Sequence, residues 1–339
     1  MEELSFVLDC NGGDFAPSEI VKGGVLAARE LGYKIYLVGD GEKIETLLKR
    51  EGEKNNPLLE VVHAPDNVGM HESPSAVLKR KSSSLYVAGK MVREGVAQGL
   101  VSAGNTGAVL AVGKFIVGAE EEIERPAIAV SLPNPKGKTV LIDVGANVDS
   151  KPRHMVQFAV IGHTYAQEIL GIENPRVGLL SIGEEEGKGN ELVRETYPLL
   201  KRTGLNFIGN AEGGDIYAGT FDVIVCDGFV GNVILKASES LGLAVVKMIK
   251  DEVKNSLMAK LGAFLLMPAL GRFKKKADFT EYGGIPLLGA KKPVIITHGR
   301  ANAKAIRNAV RVAGGFLIQD FNSKLVENMR ALSLLTAKP

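Results

Sequence analysis

The chain has 339 residues, 45% of them hydrophobic and 24% charged, and 41 basic against 39 acidic residues leave a net charge of +2. That balance excludes a whole-chain electrostatic match to nucleic acid, and the length allows a core that needs no disulfide or metal staple. Two cysteines, Cys10 and Cys226, are too few for a disulfide framework and wrongly spaced for zinc, so no metal is expected and a reducing cytoplasm is the simplest setting.

The first stretch, "MEELSFVLDC", reads as a short strand. It lacks the basic start and long apolar core of a signal peptide, and no continuous apolar run in the chain reaches the roughly 20 residues that span a bilayer. Further apolar, β-branched runs at 34–40, 59–64, 99–104, 127–132, 139–145, 176–183, 205–210, 222–228 and 293–299 read as strands. Amphipathic stretches at 17–31, 74–94, 153–170, 189–202, 229–256 and 301–318 read as helices between them. Near-continuous apolar strands suit a sheet covered on both faces, and their alternation with helices predicts an α/β fold of αβα layers around a mostly parallel sheet.

Strand after strand ends in small polar residues: "DCNGGD", "SAGNTG", "DVGAN", "SIGEEEGKG", "GNAEGGD", "CDGFVGN" and "THGRAN". Turn chemistry alone accounts for any one of them. Seven together predict one ligand cleft at the carboxyl ends of the strands. The chain carries no Gly-x-Ser-x-Gly elbow, no complete phosphate-loop pattern and no dinucleotide fingerprint after the first strand, so neither a serine hydrolase nor a nicotinamide enzyme is indicated.

Within "VSAGNTGAVL" (101–110), Gly104, Asn105, Thr106 and Gly107 join a strand to an apolar helix. Backbone N–H groups at such a junction invite an oxygen-rich anion, phosphate first. Lys188 lies between glycines where a helix begins; it reads either as an anion ligand or as an exposed lysine beside three glutamates. Asp143, Asn147, Asn210, Glu212, Asp227 and Asn232 follow strands directly and can orient an oxyanion or the lysine that binds it. His298 closes a strand and reads equally as a site residue or a helix-entry histidine.

With these blocks in view the chain resembles the bacterial phosphate acyltransferase family PlsX. The resemblance runs from about Phe6 to Phe316, through "GGDFAP", "SAGNTGA", "IDVGAN", "SIGEEEGKGNE", "FIGNAEGGDI", "CDGFVGN" and "YGGIPLLG" in order. It implies a fold like that of phosphate acetyltransferases and isocitrate dehydrogenases, with residues 1–330 as one catalytic domain of two lobes around one cleft. It implies transfer of a fatty acyl group from acyl carrier protein to inorganic phosphate, by a homodimer without an organic cofactor. It also implies a cytoplasmic protein at the inner membrane surface, whose acyl phosphate a membrane glycerol-3-phosphate acyltransferase consumes. On that footing Gly104, Asn105, Thr106 and Gly107 are expected to cradle phosphate, Lys188 to neutralise it or the tetrahedral oxyanion, and Asn232 to donate to the same oxygens. Asp227 and Glu212 orient those donors, while Asp143, Asn147, Asn210, Gly231 and His298 line the cleft. The chain departs from the usual pattern at Cys10–Asn11 and at Gly214; both cysteines read as buried small hydrophobes.

Residues 257–276, "LMAKLGAFLLMPALGRFKKK", form an apolar stretch with a basic end. Dimer contact and membrane surface are equal readings from the residues; the resemblance favours the membrane. Lys79, Arg80 and Lys81, or Arg300, Lys304, Arg307 and Arg311, are the candidate docking patches for an acidic carrier protein. Two other functions compete: a phosphate acetyl- or butyryltransferase using coenzyme A, and a non-enzymatic phosphate-binding protein at the membrane surface.

Overall fold

A computed structural model describes residues 4–254, 256–277 and 283–336. The first half contains β1 (Ser5–Asp9), α1 (Ser18–Leu31), β2 (Lys34–Gly39), α2 (Gly41–Arg50), β3 (Leu59–His63), α3 (Ala76–Lys79), α4 (Ser84–Arg93), β4 (Gly99–Ser102) and α5 (Thr106–Val112). There follow β5 (Ala127–Asn134), β6 (Gly137–Ile142), α6 (Pro152–Glu168), β7 (Val177–Leu180), α7 (Glu191–Leu200), β8 (Phe207–Ala211), α8 (Asp215–Ala218) and β9 (Val223–Val225). The chain closes with α9 (Gly228–Lys254), α10 (Leu257–Ala277), β10 (Ile285–Leu288), β11 (Val294–Ile296), α12 (Ala303–Ile318) and α13 (Phe321–Thr336).

All these strands share one sheet, in the order β3-β2-β1-β4-β11-β10-β5-β6-β9-β7-β8. Strands such as β1, whose Phe6, Val7 and Leu8 are fully buried, bury both faces because helices cover both. One core packs α1, α2, α6, α7, α12 and α13 onto one face; the other packs α4, α5 and α8 onto the opposite face. The layers are therefore α, β, α, as expected. Helix α1 approaches α12 closely at Gly23, where a Cβ would stand 2.4 Å from Ile306.

The sheet is parallel within β3-β2-β1-β4-β11 and again within β6-β9-β7-β8. Between the two blocks, β10 is antiparallel to both β11 and β5, and β5 is antiparallel to β6. Three reversals in succession make the second block run opposite to the first.

The expected helix over 74–94 is broken. Ser83 is extended and bridges Asp66, the backbone N–H of Ser84 bonds Asp66, and the Ser84 side chain turns to Asp9, so α3 and α4 are separate pieces. Strand β10 was hidden in sequence because it is four residues long and contains Pro286. Helix α9 leaves the core after Leu235: beyond it none of the described residues is buried, and Leu241, Leu243, Met248 and Ile249 are exposed. At 27 residues α9 is long and apolar enough by composition to cross a membrane. Counting continuous apolar runs misses this, because Lys236 and Glu239 interrupt the run. Helix α10 packs against α9 and continues through Pro268; Phe264, Leu265, Leu266 and Met267 on it are exposed. The basic side chains of Arg272, Lys274, Lys275 and Lys276 lie outside the described residues.

Candidate active site

The polar strand ends gather into two groups. The first lies at the carboxyl ends of β1, β4 and β11. Asp9 is buried and accepts hydrogen bonds from Ser84 Oγ at 2.6 Å and Ser102 Oγ at 2.8 Å. Burial pushes its carboxyl above the usual range, against the pull of those hydroxyls and the Asn11 N–H. Ser102 Oγ in turn accepts the Gly104 N–H at 3.0 Å. The Asn105 side chain caps α5 by accepting the Ala108 N–H at 3.1 Å, while its Nδ2 donates to the carbonyls of Met70 (3.2 Å) and Glu72 (2.9 Å). So the amide of Asn105 and the N–H of Gly104 are committed inside the protein and do not face a ligand. The N–H groups of Asn105, Thr106 and Gly107 and the exposed Thr106 hydroxyl have no partner among the described residues. These are free donors at the start of a helix that continues to Val117. His298 borders this group: Gly299 accepts the Asp14 N–H at 2.7 Å, and the Nδ1 of His298 accepts the Arg300 N–H at 3.0 Å.

The second group lies at the carboxyl ends of β6, β7, β8 and β9. Asp143 is fully buried and takes N–H bonds from Ile128 (2.9 Å), Gly145 (3.3 Å), Ala146 (3.1 Å) and Asn147 (2.7 Å). Asn147 Nδ2 adds a bond at 3.0 Å and also donates to Pro126. Burial raises the Asp143 carboxyl, and these donors oppose the rise. Asp143 and Asn147 are thus the buried frame of the turn; neither side chain reaches its surface. Asn232, exposed near the start of α9, donates from Nδ2 to the Val144 carbonyl at 3.2 Å. Gly231 lets α9 approach that turn, since a Cβ there would fall 1.9 Å from the Asp143 carbonyl oxygen. Asp227 caps α9 through the N–H groups of Phe229 and Val230, both at 3.0 Å. Asn210 is buried, donates to the Glu185 carbonyl at 2.8 Å, and leaves Oδ1 without a partner; Ser181 Oγ beside it is also unpartnered. Lys188 stands exposed on this loop above Gly183. Glu212 is exposed, and among the described residues its side chain makes no hydrogen bond to the donors it was expected to orient. Cys10 and Cys226 are buried, and burial pushes both thiols well up, which suits inert packing groups.

The opposed strand directions put these groups at opposite ends of the sheet. From β4 to β7 there are six strand spacings, roughly 29 Å across the sheet. The turn at 104–107 and Lys188 therefore do not share one cleft within a single chain. Sequence reasoning treated all seven strand ends alike because it carried no information on strand direction. It also passed over Asp9 and Ser102; an aspartate closing the strand that buries Phe6, Val7 and Leu8 was the available signal.

An open αβα sheet with polar loops at the strand ends, one of them a helix start with free N–H groups, defines the class. This is the fold of the phosphotransacylases. It is shared with a phosphotransacetylase from Streptococcus pyogenes (TM-score 0.65, 16% identity, 94% of this chain and 95% of that one). A branched-chain phosphotransacylase from Enterococcus faecalis V583 shares it too (TM-score 0.52, 16% identity, 92% and 98%). The sequence carries the assignment further. The model of a family described as fatty acid synthesis protein matches residues 4–324. A phosphate acyltransferase from Aquifex aeolicus (strain VF5) is 80% identical over 97% of this chain and 98% of its own length. One from Pelotomaculum thermopropionicum is 50% identical over 97% and 94%. The chain belongs to the phosphate acyltransferase family, as its motif blocks led us to expect, and is an acyltransferase.

Proposed function

We propose that this protein transfers a long-chain fatty acyl group from acyl carrier protein to inorganic phosphate, yielding acyl phosphate for phospholipid synthesis. The observation that carries the reading is the turn at 105–107, with three unpartnered N–H groups on a rigid buried frame. A phosphate oxygen attacks the thioester carbonyl, the C–O bond forms, the C–S bond breaks, and the proton goes to the departing thiolate. A thiol of pKa about 8.5 leaves without a strong acid, and phosphate is already an anion, so placement and oxyanion stabilisation are the main needs. Phosphate rests on the N–H groups of Asn105, Thr106 and Gly107 and on the Thr106 hydroxyl. Lys188 and Asn232 stabilise the tetrahedral oxyanion; Asp227 fixes the turn that carries Asn232.

The second group comes from a second copy of the chain. Support comes from the opposed strand directions and from α9, which starts at the second group and then exposes an apolar face. In such a homodimer α9 packs against its partner, and Asn232 on α9 and Lys188 on the loop after β7 approach the partner's 104–107 turn. The exposed residues Phe264, Leu265, Leu266 and Met267 of α10 meet the inner face of the membrane, where the acyl phosphate is passed to a membrane glycerol-3-phosphate acyltransferase. The carrier protein docks at Lys79 and Lys81, because segment 69–72, bonded to Asn105, leads directly into this patch. Arg80 there already pairs with Glu72.

The test is to incubate the pure protein with palmitoyl-acyl carrier protein, with and without inorganic phosphate, following free carrier and acyl phosphate. Phosphate-dependent release with equal acyl phosphate supports the reading. Release without phosphate overturns it, and turnover only of short acyl-coenzyme A transfers the assignment to the acetyl- or butyryltransferase reading.

A further inference from the structure

Asp9 has no place in the acyl transfer as described, yet it is the buried centre of the first group. We propose that Asp9 is a positioning residue for the phosphate-binding turn, acting through the hydroxyl of Ser102. The inference rests on the reading that residues 105–107 hold phosphate.

A serine hydroxyl has one proton and two lone pairs. At Ser102 the Gly104 N–H comes to the oxygen at 3.0 Å, and among the described residues the only other hydrogen-bond partner of the hydroxyl is Asp9 Oδ2 at 2.8 Å. The hydroxyl proton therefore goes to the carboxylate, and a lone pair is left facing Gly104. This turns the Gly104 N–H inward, and the next three N–H groups begin the helix from a fixed direction. The space is closed around the link. A Cβ at Gly12 would stand 2.5 Å from Asp9 Oδ2 and 2.8 Å from the Gly104 nitrogen. No side chain fits there, so the orientation depends on Asp9 and Ser102 themselves. The carboxylate also holds Ser84, at the start of α4, with its other oxygen. That arm runs away from the turn and provides an internal control.

The experiment uses the full-length protein with inorganic phosphate and its acyl donor as probes. Ser102→Ala, Asp9→Asn, Ser84→Ala and the Asp9→Asn/Ser102→Ala pair are compared by steady-state kinetics and thermal unfolding. Ser102→Ala and Asp9→Asn are expected to raise the KM for phosphate about tenfold, with kcat at saturating phosphate and the KM for acyl donor held within about twofold. The double variant should be no worse than the worse single one, since both changes cut one link. Ser84→Ala should lower the thermal midpoint and leave the KM for phosphate in place. A Ser84→Ala shift equal to that of Ser102→Ala would reduce Asp9 to a packing residue. Multiplying effects in the double variant, or a loss confined to kcat, would equally overturn the proposal. Should Asp9→Asn not fold, Ser102→Ala against Ser84→Ala still decides it. Wild-type turnover that ignores phosphate would instead refute the underlying reading of the turn.

Discussion

The side chain of Asn232 reaches from near the start of α9 to the carbonyl of Val144, 3.2 Å away, and lies over Gly145, whose φ of 137° belongs to glycine. A surface amide is thus held against a buried turn by one of its two N–H groups, and the second N–H has no partner among the described residues. Asn232→Ala and Lys188→Ala are each expected to lower kcat/KM for acyl phosphate formation about 100-fold, the scale of losing one oxyanion donor. Both residues are exposed, so thermal midpoints should hold within a degree or two. Full turnover in both variants would remove the second group from the chemistry.

If the two groups meet across a dimer, two inactive variants should rescue each other. Thr106→Glu places a carboxylate at the 104–107 turn, and Lys188→Ala strips the other group. Mixed in equal amounts and allowed to exchange, half of the dimers carry one intact composite site out of two. Activity should then return to roughly a quarter of wild type. Mixtures as dead as their components would mean that each chain works alone.

Acid should act on the Arg176–Asp222 pair at the start of β9. Burial pushes the Asp222 carboxyl up, but the Arg176 side chain and backbone N–H, each at 2.9 Å, hold it below its ordinary 3.8. A lowered folded-state value stabilises the fold above about pH 4, and this is lost as pH falls through the lowered value. Asp222→Asn should cost about 2 kcal/mol in urea unfolding at pH 7. The gap to wild type should close below pH 4; a gap independent of pH would contradict the assignment.

The layers, all ten of the strands expected from apolar runs, and the family were legible in the residues. Burial on both faces imprints a short continuous apolar run such as Phe6-Val7-Leu8, followed closely by turn residues. Direction was not legible: β10 shows only "IPLL", and the three successive antiparallel pairings β11–β10, β10–β5 and β5–β6 together set Asn105 and Lys188 apart. Nor could sequence tell a framework amide from a ligand amide. Asn105, Asn147 and Asn232 all follow strands into turns, but only the structure reveals that the first two are buried framework amides, while Asn232 stays exposed with one N–H on Val144.

The exposed run Phe264, Leu265, Leu266 and Met267 gives a test of surface attachment. Leu265→Glu should abolish sedimentation with vesicles of anionic lipid while leaving soluble acyl phosphate formation intact. Release of wild type by salt alone would assign the attachment to charge instead of apolar insertion.

The pairing of β11 with β4 joins Val294 to Leu100, Ile295 to Val101 and Ile296 to Ser102. The strand that completes the N-terminal block is thus made nearly two hundred residues after its neighbour. While a ribosome synthesises everything between, the edge of β4 stays open, a template for any passing strand. Closing it depends on a contact of high sequence separation, which is slow to form. The turn at 104–107, whose frame includes Thr297 against Ser102 at 2.9 Å, is consequently among the last parts of the molecule to be finished, and a nascent chain stopped before β11 leaves it unsupported.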